Sequence, residues 1–382
     1  MVGIARELRR RGHSAAIVTG PAFDDLLLQN GFPPPERQDE DGQGFAIETW
    51  AHPAAIVSQI KQLTRTLPTF FPDVLIANHL SLGPLIVSEL LHIPIAVLGF
   101  AVYLLPKPGL AGGSCESWLV PRIQWRHGEM CKYLNMARQQ LRLPDVELDS
   151  LDDYLLGDLF LLQSVPELEG ADGHLPAQVQ FVGSCLWEPP GVDGELAAWL
   201  DNNGAGSRAP LVYLQHGRLF DAPTTWPLLV EELGHLPVRV AASIGRMDRP
   251  PGRRPSGFLM RDHLPQGQIL PRARAVISTA NTTAVLGALT HGLPSVLIPA
   301  GGEQPDLAQR CERAGASICL NGAAATPESV RLSLEEVLES PPVRQNAVRL
   351  QEEFRHAGGI SSAADLLGSL GSEGKTRAAA AV

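Results

Sequence analysis

The stretch Ser278-Thr279-Ala280-Asn281-Thr282-Thr283 gathers four hydroxyls and one carboxamide at a single turn, between an apolar run and a helix-period segment. Such donors at a helix N-terminus suit a phosphate, because the helix dipole and the free first-turn N–H groups attract negative charge. The same residue types are also the best helix caps, so capping stands beside anion binding as a reading. Further on, Glu303-Gln304 sets a carboxylate beside an amide, a pair that can accept from and donate to adjacent hydroxyls. Leu264-Pro265-Gln266 is a Pro-containing turn. His216-Gly217-Arg218 ends another apolar run with a guanidinium able to meet a phosphate bidentately. In the first half, Asn78-His79 closes the run "DVLIANH", and a histidine at a strand end is a candidate base.

These groups all follow short apolar runs that read as strands. "SAAIVTG", "DVLIANH" and "PIAVLGF" fill that role in the first half, and "LVYLQHG", "VRVAASIG", "AVISTA" and "PSVLIPA" in the second. Helix-period segments alternate with them, at 2–12, 226–233 and 305–314 among others. Continuous apolar strands alternating with helices predict a parallel sheet covered on both faces. The Pro-, Gly- and Asn-rich stretch 188–210 reads as a linker with one short helix around Glu195–Leu200. The expected fold class is therefore α/β, with two doubly wound Rossmann-like domains at 1–187 and 211–344. Closing helices at 345–370 and a disordered tail at 371–382 complete the expected plan. Ligands of such sheets bind at the carboxyl ends of the strands, and two such domains would leave a cleft between them.

Composition narrows the partners. A chain of 382 residues is long for one core. Its net charge of −10 argues against nucleic acid, whose phosphates require a basic face. No apolar run reaches the ~18–20 residues of a membrane helix. Cys115, Cys131, Cys185, Cys311 and Cys319 form no C-x-x-C or Cys/His pair, so neither a metal site nor a disulfide framework is expected. Reduced thiols, buried as small hydrophobes, point to a cytoplasmic protein. The aromatics Phe100, Tyr103, Trp118, Trp125 and Tyr133 suggest a lipophilic pocket or simply core.

Read together, five segments resemble the nucleotide-sugar glycosyltransferases of the GT-B fold, in the UDP-glucuronosyl, macrolide and carotenoid glycosyltransferase family. They are "IARELRRRGHSAAIVTG", "LLQSVPELEG…VQFVGSCLWEPP", "FLMRDHLPQGQILPRARAVIS", the turn at 278–283 continued through Glu303-Gln304, and "FRHAGGISSAADLLGSL". The resemblance implies inverting transfer of a hexose or deoxyhexose from a UDP- or TDP-sugar to a hydroxyl of a lipophilic natural product. The nucleotide sugar would be a co-substrate, with no resident cofactor. Glu303 and Gln304 fall where the family grips the sugar, Leu264-Pro265-Gln266 under the nucleobase, and Gly217-Arg218 near the phosphates. Thr279-Ala280-Asn281 replaces the family's His-Gly-Gly, with Thr282 and Thr283 as further phosphate donors. Ala284 replaces a phosphate-binding hydroxyl residue, and Gly287 stands where a glutamate holds the ribose.

The acceptor side departs further. The family begins with a strand and a Gly-His loop whose histidine is the base, and this sequence begins inside the helix that follows. The first strand is thus expected to be absent, with Asn78 at the place of the base-orienting aspartate and His79 as a substitute base. Loss of a central strand predicts unpaired edges on its two former neighbours. An active transferase, a non-catalytic binding or helper subunit, and a nucleotide-sugar epimerase all fit these residues to differing degrees. A homodimer or a helper partner is compatible with each.

Overall fold

The computed structural model describes residues 1–36, 52–100, 119–147, 151–170, 175–201, 209–215, 225–245, 255, 257–321 and 324–380. The chain divides into two compact units, Met1–Pro189 with Ala357–Val382, and Pro190–His356. In the first unit β1 (Leu75–Asn78), β2 (Ile95–Gly99), β3 (Leu159–Leu162) and β4 (Val179–Phe181) lie side by side in chain order, all parallel. Successive strand residues face opposite sides of a sheet. Leu75, Ala77, Val97 and Phe160 accordingly pack with Ile56, Ile60 and Leu134 on one face. Ala96, Leu98, Leu159 and Leu161 pack with Ile4, Ala363 and Leu367 on the other. Both faces are covered by helices, which is why the strands read as unbroken apolar runs.

The second unit holds six parallel strands in the order β10-β9-β8-β5-β6-β7. They are β5 (Leu211–Gln215), β6 (Arg239–Ser243), β7 (Phe258–Arg261), β8 (Ala275–Ser278), β9 (Ser295–Leu297) and β10 (Ser317–Cys319). The chain winds outward from β5 to β7, then returns to β8 and winds the other way. The strand order therefore reverses between β5 and β8, which makes their carboxyl ends the crevice of a doubly wound sheet.

Two expectations need correction. "SAAIVTG" is no strand: residues 13–20 have no ladder partner, because β1 forms the edge of the described sheet. A strand exists only where a neighbour bonds its backbone. The carbonyl of Ala15 accepts instead from the Arg9 guanidinium at 2.7 Å. The stretch 371–382 was expected to be disordered, yet the last helix spans Ile360–Ala380. It carries no proline and ends in alanines, which favours helix continuation. The expected linker 188–210 contains the boundary between the two units, at Pro189 and Pro190, and the short helix expected within it. That helix, Gly194–Asp201, is tied down by Arg261, whose guanidinium reaches Asp193 and Glu195 at 2.6 Å each, and by Arg239 stacked over Trp199.

The sequence reading passed over β3, β4, β7 and β10, which are only three or four residues long. Among the described cysteines, Cys131, Cys185 and Cys311 are buried and Cys319 is half-buried. No described helix is long and apolar enough to cross a membrane.

Candidate functional site

Parallel strands deliver their following loops to one edge of the sheet. In the second unit that edge receives Leu264-Pro265-Gln266 after β7, the turn at 279–283 after β8, and Glu303-Gln304 after β9. Gly217 and Arg218, which follow β5, lie outside the described residues. The loops after β8 and β9 are joined directly, since Ile298 N–H donates to the Ser278 carbonyl at 2.9 Å.

The turn after β8 is built by its own polar side chains. Ser278 Oγ accepts from the Ala280 N–H at 3.1 Å. Ala280 takes the left-handed conformation, with φ of +58°, and is fully buried. A side chain there costs roughly 1–2 kcal/mol relative to glycine. Asn281 is the N-cap of the helix Thr282–Thr290, its Oδ1 accepting from Ala284 N–H at 3.0 Å. Capping thus uses the Asn281 oxygen, while its Nδ2 is enclosed without a hydrogen-bond partner. Thr279 is 3% exposed and its Oγ1 also has no partner. The first turn of the helix carries no acidic residue. Two enclosed donors therefore adjoin the positive end of a helix whose first-turn N–H groups only Asn281 caps. Unmet buried polar groups cost about 1–3 kcal/mol each and call for a partner.

After β9 the chain turns sharply at Gly302, with φ of +63°. Glu303 is half-buried and precedes the helix Gln304–Arg313. Gln304 is buried, its Oε1 accepting from Ala300 and Gly301 N–H groups at 2.9 and 3.2 Å. One turn along, Asp306 and Arg310 form a buried ion pair at 3.0 Å.

After β7, Leu264 N–H donates to Ser243 Oγ at 3.3 Å and its side chain is buried. Pro265 caps the short helix Gln266–Ile269. Gln266 lies against Gly287, where an added Cβ would sit 2.9 Å from Gln266 Oε1 and from Leu270 Cδ1. The room left by the missing side chain at 287 is thus filled by Gln266. Sequence reading named both residues but carried no signal that they meet.

Asn78 and His79 belong to the other unit, at the end of β1. Asn78 Oδ1 accepts from Leu80 N–H at 2.9 Å, shaping the turn. His79 is enclosed, its Nδ1 at 3.2 Å from the Leu98 carbonyl and its ring edge-on to Phe100. Burial, aided by the nearby Arg126 charge and opposed by the Leu98 bond, lowers its pKa to about 4. An imidazole so placed is neutral and weakly basic, and efficient proton transfer from a hydroxyl favours a pKa nearer the working pH. Of the aromatics expected to line a lipophilic pocket, only Phe100, Trp125 and Tyr133 are described. Trp125 is 67% exposed, and Tyr103 and Trp118 lie outside the described residues.

The His79 geometry carries a pH signature. Below pH ~6.5 the unfolded chain takes up a proton at this histidine that the folded chain refuses until about pH 4, so stability falls as pH drops through that window. The loss amounts to about 3 kcal/mol at most. His79→Phe is expected to flatten this part of the urea-midpoint profile. An NMR titration showing His79 protonating with a midpoint above pH 6 would refute the enclosed, neutral form.

Residues 228–358 match the family described as Erythromycin biosynthesis protein CIII-like, C-terminal domain. The chain is similar to 4'-demethylrebeccamycin synthase of Lentzea aerocolonigenes, at 25% identity over 96% of this chain and 95% of that protein. It is also similar to UDP-glucuronosyltransferase 1A9 of Mus musculus, 24% identical over 81% of this chain, although it spans only 62% of that relative. Among solved structures, the kitacinnamycin glycosyltransferase aligns with a TM-score of 0.74 and 19% identity, over 97% of this chain and 94% of that one. Two parallel-sheet α/β units of GT-B type are common to both.

Proposed function

We propose, from the likeness to the Erythromycin biosynthesis protein CIII-like C-terminal domain and to 4'-demethylrebeccamycin synthase, that the chain is a GT-B glycosyltransferase of the UDP-glucuronosyl and macrolide family that transfers a hexose or deoxyhexose from a UDP- or TDP-sugar to a hydroxyl of a lipophilic natural product. The observation that carries this reading is the turn after β8. It lies where the strand order of the second sheet reverses, and it sets the unpartnered Thr279 Oγ1 and Asn281 Nδ2 beside a helix N-terminus free of acids. A diphosphate supplies the acceptor oxygens that those donors lack.

In this reading Thr279, Asn281, Thr282 and Thr283 hold the diphosphate, with Gly217 and Arg218 meeting it from the end of β5. Leu264-Pro265-Gln266 lies under the nucleobase, and Glu303 reaches the sugar hydroxyls. The first unit takes the acceptor, in keeping with the natural-product names of the relatives. Stabilising the departing diphosphate is the larger part of what this site would contribute, because fixed donors lower a transition state in which charge develops there. Asn78 and His79, as placed, contribute a strand-end turn, and proton removal by His79 would require its ring to leave its enclosure.

Calorimetry of the full chain with UDP, TDP and their glucose conjugates tests the reading. Binding of at least one nucleotide is expected. Thr279→Val should keep the fold and weaken nucleotide binding by ~5- to 10-fold, the worth of about one hydrogen bond. Equal affinity in the variant would remove the turn from the donor site. Silence of the unmodified chain toward all four ligands would overturn the transferase reading itself.

A further inference from the structure

The amide next to the proposed sugar grip is already engaged. Gln304 is the first residue of the helix Gln304–Arg313, 3% exposed, and one atom of its carboxamide receives two backbone N–H groups. Both donors are main-chain amides, so the receiving atom is the carbonyl oxygen whatever the rotation of the group. The donors belong to Ala300 and Gly301, the residues that lead from β9 into the left-handed Gly302. A second bond closes the same turn, from Gln304 N–H to the Gly301 carbonyl at 3.2 Å. Glu303 sits at the apex of this closed loop and is half-buried, in contrast to its enclosed neighbour.

We infer that Gln304 is a positioning residue: it staples the loop 300–303 through its side-chain oxygen and so aims Glu303, which alone of the pair meets the donor sugar. The inference rests on the donor-site reading of Glu303. It separates two roles that adjacent polar residues would otherwise be taken to share. A side chain that acts through its oxygen alone should tolerate Gln304→Glu, because a carboxylate accepts the same two N–H bonds and is favoured at a helix N-terminus. It should not tolerate Gln304→Leu, which fills the space and leaves both amides unmet.

The test uses the full chain and both variants, with two readouts. Hydrogen exchange at Ala300 and Gly301 follows the staple, and calorimetric affinity for UDP-glucose relative to UDP follows the sugar grip. Gln304→Leu is expected to speed exchange at both amides by at least ~10-fold and to reduce UDP-glucose affinity by a similar factor, while UDP binding stays within ~2-fold. Gln304→Glu should match the unmodified chain in both readouts. Retained slow exchange in Gln304→Glu with lost UDP-glucose preference would overturn the inference, since the amide N–H groups would then touch the sugar. Unchanged behaviour of Gln304→Leu would overturn it as well. If the unmodified chain shows slow exchange but binds UDP and UDP-glucose equally, the premise about Glu303 has failed rather than the staple, and the positioning role falls with it.

Discussion

Glu89→Ala is expected to destabilise the first unit by about 3 kcal/mol, toward the lower end of what a broken buried ion pair costs. Arg138 is 3% exposed and makes a two-pronged contact with Glu89, at 2.5 and 3.0 Å. The Tyr154 hydroxyl accepts from Arg138 and donates to Glu89, each at 3.0 Å, and the Pro144 carbonyl accepts from Arg138 Nε at 2.7 Å. Removing Glu89 leaves a guanidinium in the interior without its counter-charge. Glu89 itself is 38% exposed, so water reaches the vacated position and moderates the loss.

The Arg138 hydrogen bond holds the Glu89 carboxyl below its ordinary range, with burial opposing and Tyr154 assisting. A depressed carboxylate pKa contributes stability above the unfolded value and loses it as pH falls through the folded one. The difference between the unmodified chain and Glu89→Ala should therefore narrow on acidification below about pH 4. Urea midpoints at pH 7 measure the main effect. Glu89→Ala with Arg138→Met should recover much of the loss, because no uncompensated charge remains. A midpoint for Glu89→Ala within error of the unmodified chain would show that the pair is not buried as described.

What was legible in the sequence was whatever a continuous apolar run encodes. β1, β2, β5, β6, β8 and β9 all fall inside runs read as strands, because burial on both faces keeps the strand interiors mostly apolar. "SAAIVTG" has the same composition and is not a strand, since pairing depends on a neighbour that the local sequence does not specify. The site divides in the same way. Asn281 reads as a cap from its type and position, and it caps. That Gln304 is turned inward onto its own loop, or that His79 is enclosed by Phe100 and the Leu98 carbonyl, follows from packing that residue types alone do not fix. The burial of Thr279 Oγ1 and Asn281 Nδ2 without partners is of this second kind. It is the reason the turn reads as more than a helix cap, a choice the residue types had left open.

Gly287→Glu is expected to destabilise the second unit, even though the family resemblance puts a glutamate there. A Cβ at 287 would approach Gln266 Oε1 and Leu270 Cδ1 to 2.9 Å, distances that real Cβ atoms do not tolerate. Gln266 is 6% and Leu270 1% exposed, so neither swings aside into solvent. Overpacking of this kind costs about 1–3 kcal/mol, and an enclosed carboxylate adds to it. The helix gains back up to about 1 kcal/mol when glycine is replaced, which the clash outweighs. The second change that makes room is Gln266→Ala. The double variant should fold with most of the lost stability restored, giving a coupling energy above about 1 kcal/mol in a double-mutant cycle. It should also bind UDP more tightly than Gln266→Ala alone, because a carboxylate at 287 can accept from the ribose hydroxyls where Gly287 offers nothing. Additive stabilities would mean that Gln266 does not fill the space beside Gly287. Restored stability without any gain in UDP affinity would keep the packing argument and move the ribose away from this helix.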